Sequence, residues 1–92
     1  MYIKFKVLDL DKLTRDDQYK KVTEEYLEFI QAKDRMHKLE ELFDLIQASL
    51  GLLSKYNQYE ITVANMKHIA KLESRDRQGR IKIKNEIELV HR

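Results

Sequence analysis

The chain has no cysteine, no proline and no tryptophan, and only two glycines among its 92 residues. Without cysteine it can form neither a disulfide nor a thiolate metal site, an absence compatible with the cytosol. No proline-marked linker, internal repeat or low-complexity segment divides it, so one domain over 1–92 is expected. No apolar run approaches the roughly 20 residues needed to cross a bilayer. The first residues alternate lysine with apolar side chains instead of forming a signal-peptide core. The expectation is therefore a cytoplasmic protein with no membrane partner. An excess of one charge is also missing: 18 Lys and Arg stand against 16 Asp and Glu, a formal net charge of +2. That is too near balance to argue for nucleic acid as a partner. A chain this short buries only a modest share of its surface, which makes oligomerisation the expected source of extra stability.

The pattern of apolar residues predicts a mainly α protein with a short strand at each end. Over 1–10, Ile3, Phe5 and Val7 alternate with Lys4 and Lys6 at the two-residue period of a half-buried strand. Asp9, Asp11 and Thr14 mark a connection. Over about 16–32 the period becomes helical, with Val22, Tyr26, Phe29 and Ile30 recurring and Asp16 and Asp17 suited to a helix N-terminus. A second helix is expected over about 35–56, with Asp34 as N-cap. Its main apolar stripe is Leu39, Phe43, Ile46, Leu50 and Leu53. A second apolar surface, Leu45, Ala48 and Leu52, lies nearly opposite, so the helix needs cover on two sides. A third helix over about 62–76 turns Val63, Met66, Ile69 and Ala70 inward, and Gly79 ends it. Over 80–90 the two-residue period returns in Ile81, Ile83, Ile87 and Leu89. Two lone strands are weak, so pairing with each other or across subunits is expected.

Within this frame five carboxylates hold a telling spacing: Glu24, Glu25 and Glu28, then twelve intervening residues, then Glu41 and Asp44. Residues three apart share a helix face, so Glu25 with Glu28, and Glu41 with Asp44, each form a small oxygen-rich surface. If the chain reverses near Asp34 and Arg35, the two surfaces meet across an antiparallel hairpin. Like charges held that close need protons, cationic neighbours or a hard divalent cation. Mg²⁺ suits such a set, because it binds a few carboxylates and keeps room for substrate phosphates.

These residues, Glu24-Glu25-Tyr26-Leu27-Glu28 and Glu41-Leu42-Phe43-Asp44 on successive helices, resemble the MazG-like nucleoside triphosphate pyrophosphohydrolases over roughly 16–78. The resemblance implies an all-α subunit of three helices that completes a helical bundle as a homodimer or a dimer of dimers. It implies Mg²⁺-dependent hydrolysis of a nucleoside triphosphate to monophosphate and pyrophosphate, with Mn²⁺ as a possible substitute. It makes Glu25, Glu28, Glu41 and Asp44 metal ligands, counts Glu24 and Glu25 as catalytic, and gives Glu24 an accessory role, either a water-mediated ligand or a contributor to activating the attacking water. It also matches Lys67, Lys71 and Arg75, four apart on the third helix, to phosphate-binding cations. The family carries a helix before the first acidic motif, where this chain offers a strand.

Plainer readings stand beside these. The acidic residues could be two solvated helix faces in a chain where 37% of residues are charged. The Lys67, Lys71 and Arg75 stripe could pair with carboxylates such as Glu73. Tyr26 and Phe29 read as core. His37 and His68 lack a second His or Cys at ligand spacing, so no zinc site is argued. The alternative function is a non-catalytic helical oligomeric module, interacting or regulatory, that keeps the bundle without turnover. A DNA-associated role through the basic residues of the terminal segments, Lys4, Lys6, Arg80, Lys82 and Lys84, ranks last.

Overall fold

The computed structural model describes residues 2–88, which form three α-helices: α1 (Arg15–Gln31), α2 (Arg35–Leu53) and α3 (Gln58–Arg77). The mainly α expectation holds. Contacts along the chain cluster into two compact units, Met1–Tyr56 and Asn57–Arg92, and each is described by itself.

In the first unit, α1 and α2 form an antiparallel hairpin. α1 starts at Thr14, whose hydroxyl accepts from the Asp17 backbone N–H at 3.0 Å while the Asp17 carboxylate accepts from the Thr14 N–H at 2.8 Å. This reciprocal pair satisfies two of the orphan donors at the helix start. α1 carries no basic residue in its last turn. Lys38 of α2 supplies one, donating to the Phe29 carbonyl at 3.1 Å with its ammonium 5.0 Å from the Phe29 ring centroid. The reversal between the helices is short, and Asp34 caps α2 by accepting from the His37 N–H at 3.0 Å, as its position in the sequence led us to expect. At the open end of the hairpin the Arg15 guanidinium lies 4.8 Å from the Tyr56 ring centroid.

The face of α2 turned to α1 is the smaller apolar surface. Ala48 is buried, and Leu45 and Leu52 are half-buried. Along the other stripe Leu39 and Leu53 are exposed, Phe43 and Ile46 are little better covered, and only Leu50 is half-buried. A small residue such as Ala48 lets two helix backbones approach, which leaves the bulkier stripe outward. The buried set is thin: Ala32, Ala48, Gln18 and Glu25, with no large side chain fully enclosed among the described residues.

The terminal strands expected over 1–10 and 80–90 do not form among the described residues; Met1, Leu89 and Val90 lie outside them. A strand exists through a ladder with a neighbouring backbone, and the N-terminal segment finds side chains instead. Gln47 of α2 grips Lys6, accepting from its N–H at 3.2 Å and donating to its carbonyl at 2.7 Å. The Lys55 ammonium donates to the Leu10 carbonyl, and Phe5 stacks on Phe43 with ring centroids 5.7 Å apart. Of the alternating apolar residues only Phe5 is half-buried, while Ile3 and Val7 stay exposed, so the segment is a strap held on α2 at a few points and not a strand of a sheet.

Gly51, inside α2, has a packing reason. A Cβ there would meet Gln18 Oε1 and the Leu10 Cδ1 methyl, each at 2.9 Å. Gly51→Ala gains about 1 kcal/mol of helix propensity but must displace one of these groups. The expected result is unchanged helix content with faster amide exchange over residues 5–13; unaltered exchange would show that the strap does not depend on the missing side chain.

In the second unit, α3 starts at Asn57, which exchanges hydrogen bonds with Glu60 at 2.8 and 3.2 Å. It ends as Gly79 foretold. Gly79 adopts φ 75°, a left-handed conformation that costs glycine little. The Arg80 N–H donates to Arg75 O at 2.9 Å and the Gly79 N–H to Asp76 O at 3.0 Å, the two bonds of a Schellman stop.

Candidate metal centre

The hairpin brings Glu25, Glu28 and Glu41 together. Each offers one carboxylate oxygen, and the three oxygens lie within 4.8 Å of one another. α1 contributes the first two because they are one turn apart on one face, and α2 contributes the third from beside Ala48 and Leu45. Glu25 is buried, Glu41 half-buried and Glu28 exposed, so the cluster opens to solvent on one side.

Each of the deeper carboxylates is satisfied at one oxygen only. Lys21, one turn before Glu25, pairs with Glu25 Oε1 at 2.8 Å. His37, one turn before Glu41, lies 3.0 Å from Glu41 Oε1 through its Nε2. The other oxygens, Glu25 Oε2 and Glu41 Oε2, are buried without a hydrogen-bond partner. Leaving a buried charged acceptor unpaired costs on the order of 1–3 kcal/mol or more. Two such atoms, one from each helix and beside a third carboxylate, are what a cation site needs. Opposed ligands of Mg²⁺, each at about 2.1 Å, lie about 4.2 Å apart, so a spread of 4.8 Å asks only small side-chain rotations.

The electrostatics agree. The Glu28 carboxyl is pushed above the usual carboxylate range, first by the charge of Glu25, then by lost hydration and by contact with Glu25 and Glu41. Asp44 is also pushed up, chiefly by lost hydration and then by the charges of Glu25 and Glu41. Lys21 is held above its usual value by its hydrogen bond to Glu25. These shifts mark a surplus of negative charge that Lys21 does not cancel.

Of the expected ligands, Glu25, Glu28 and Glu41 form the cluster, while Asp44, one turn beyond Glu41, stands outside the triad. It lines an adjoining cavity of about 560 Å³ together with Glu24 and Glu25. Glu24 itself is exposed, 4.0 Å from Lys21. Lys67, Lys71 and Arg75 form one stripe of α3 in the second unit, the first two exposed and Arg75 half-buried. The sequence reading missed Lys21 and His37 as partners of the acidic pair. The signal was present, since each lies four residues before its glutamate, the spacing of a helical ion pair.

Comparison with family models, with curated proteins and with solved structures finds no match to this chain. No described helix is long and apolar enough to cross a membrane.

Proposed function

We propose that the acidic face of the α1–α2 hairpin holds a divalent cation, Mg²⁺ or Mn²⁺, and that the protein is a nucleoside triphosphate pyrophosphohydrolase. The observation that carries this reading is the pair of unpartnered buried oxygens, Glu25 Oε2 and Glu41 Oε2, beside Glu28. The acidic motifs' resemblance to MazG-like enzymes supplies the reaction. Glu25, Glu28 and Glu41 would hold the ion, with Asp44 close enough to add a ligand directly or through water. When bound, the ion supplies charge neutralisation to the triphosphate.

The chain's own residues do the remainder. Lys21 holds Glu25 Oε1 in place at 2.8 Å, and His37 Nε2 lies 3.0 Å from Glu41 Oε1 and orients it. Glu24 projects beside Glu25 at the cavity, where its carboxylate accepts the proton of a water attacking the α-phosphorus. The new bond joins the water oxygen to that phosphorus, the bond from the α-phosphorus to the bridging oxygen breaks, and pyrophosphate leaves. By the same resemblance, Lys67, Lys71 and Arg75 are assigned to phosphate oxygens. Cytoplasmic removal of surplus or non-canonical nucleotides is the role such an activity would serve.

Self-association as a homodimer or a dimer of dimers is part of the proposal, supported by the outward stripe Leu39, Phe43, Ile46 and Leu53. The same stripe favours the second reading, a helical interaction module without turnover. Pyrophosphate release from a broad nucleotide panel, with and without Mg²⁺, decides between them. At least one nucleotide is expected to be cleaved only with the metal. A panel with no turnover at any metal concentration leaves the interaction module.

A further inference from the structure

The cavity beside the acidic cluster is lined by two kinds of side chain. Both helices give it charged groups, Glu25 and Asp44 among them, and Leu8, Leu10 and Leu13 from the N-terminal segment, with Ala48, give it apolar ones. Its volume, about 560 Å³, falls within the range of small-molecule sites. Two carboxamides also face it, Gln18 and Gln47. Both polar atoms of Gln47 are consumed by the Lys6 backbone. Gln18 is 4% exposed, and its carboxamide makes no hydrogen bond with another described residue.

Among the described residues only Glu25 Oε2 and Glu41 Oε2 are sealed from solvent without a partner, so the Gln18 carboxamide keeps access to the cavity, where a ligand can take the place of water. The surroundings make room for the carboxamide there: α2 has no side chain at Gly51, and Gln18 Oε1 occupies the space a Cβ would contest. A buried amide offering one donor and one acceptor edge among leucine side chains suits an uncharged planar ring bearing N–H and C=O groups. The proximity of Glu25 joins that ring to whatever the cluster binds.

We propose that this cavity is the site for the nucleobase of the substrate, with the Leu8, Leu10 and Leu13 wall covering the ring and Gln18 reading its hydrogen-bonding edge. The substrate class rests on the pyrophosphohydrolase reading, but the pocket is tested apart from it. Nucleosides, which carry no phosphate, are titrated into the metal-free protein while the side-chain amide signals of Gln18 are followed by NMR, with exposed Gln31 as reference. At least one nucleoside is expected to shift Gln18 and leave Gln31 in place. In Gln18→Leu, which keeps the side chain's bulk, that nucleoside is expected to bind at least tenfold more weakly and base preference to flatten. Mn²⁺ with inorganic triphosphate should bind this variant within twofold of the wild type. A panel that leaves Gln18 unmoved overturns the proposal, as does a Gln18→Leu protein with wild-type nucleoside affinity. Failure of Mn²⁺ to bind the wild type, with Gln18 still responding to nucleosides, removes the cation reading and leaves the pocket standing.

Discussion

Glu41→Gln is expected to lower Mg²⁺-dependent pyrophosphate release by about 10²–10³-fold, the usual scale for removing one electrostatic contributor from a reacting centre, without unfolding the protein. Glutamine keeps the bulk of the side chain and can still accept from His37, so the hairpin packing survives. What disappears is one charge from the cluster and the acceptor strength of Glu41 Oε2, buried and unpartnered in the native chain. Glu25→Gln should act alike, with a further loss because Lys21 then lacks its 2.8 Å ion pair. Two measurements check this: turnover, and thermal unfolding with Mn²⁺. At 100 times its dissociation constant, a ligand specific to the folded state adds about 2.7 kcal/mol; the wild type should show such a shift and Glu41→Gln should lose it. Glu40→Gln, outside the triad, should behave as wild type. Retention of the Mn²⁺ response by Glu41→Gln would remove the cluster as the metal site.

The metal-free protein should be more stable in mild acid than at neutral pH, and a divalent cation should reverse that order. Glu28 and Asp44 have folded-state pKa values raised above the ordinary 4.5 and 3.8. Entering the window above those values from neutrality, the folded chain takes up protons before the unfolded chain does, so stability rises as pH falls. The benefit is complete once pH passes below the unfolded values and is lost as pH climbs through the raised ones. Asp17 has the opposite sign. Its pKa is lowered by the Thr14 hydrogen bonds, so its contribution is present above 3.8 and disappears as pH falls through its depressed value. The sum is a stability maximum in mild acid. Bound Mg²⁺ competes with protons for the same oxygens, so saturating metal should move the maximum toward neutral pH. Urea unfolding across pH, with EDTA and with Mg²⁺, reads both curves. Coincident curves would mean that the carboxylates titrate independently of any bound ion.

Much of the fold was legible because it depends on neighbours in sequence. The helical period, Asp34 as a cap and Gly79 as a stop are interactions closed within four or five residues, and all three are present. The acidic spacing was legible for the same reason, since a short reversal converts distance from the turn into proximity across it. The strands expected over 1–10 and 80–90 do not form among the described residues because a two-residue period does not itself supply a partner backbone; Ile3, Val7 and Ile87 stay exposed. The N-terminal segment has Gln47, Lys55 and Phe43 as its partners, and pattern does not distinguish a helix surface from a sheet.

The sequence by itself determined three helices, the Asp34 cap, the Gly79 stop, and acidic motifs on two successive helices of a hairpin, because each follows from short-range geometry; in it the caps Thr14 and Asn57 read only as connections. Only the tertiary structure decided which face of α2 meets α1, which carboxylate oxygens are left without partners, and that Asp44 stands outside the Glu25, Glu28 and Glu41 triad. Those outcomes depend on how closely two helices approach and where each side chain then finds room, quantities that belong to packing in three dimensions and have no counterpart in residue spacing.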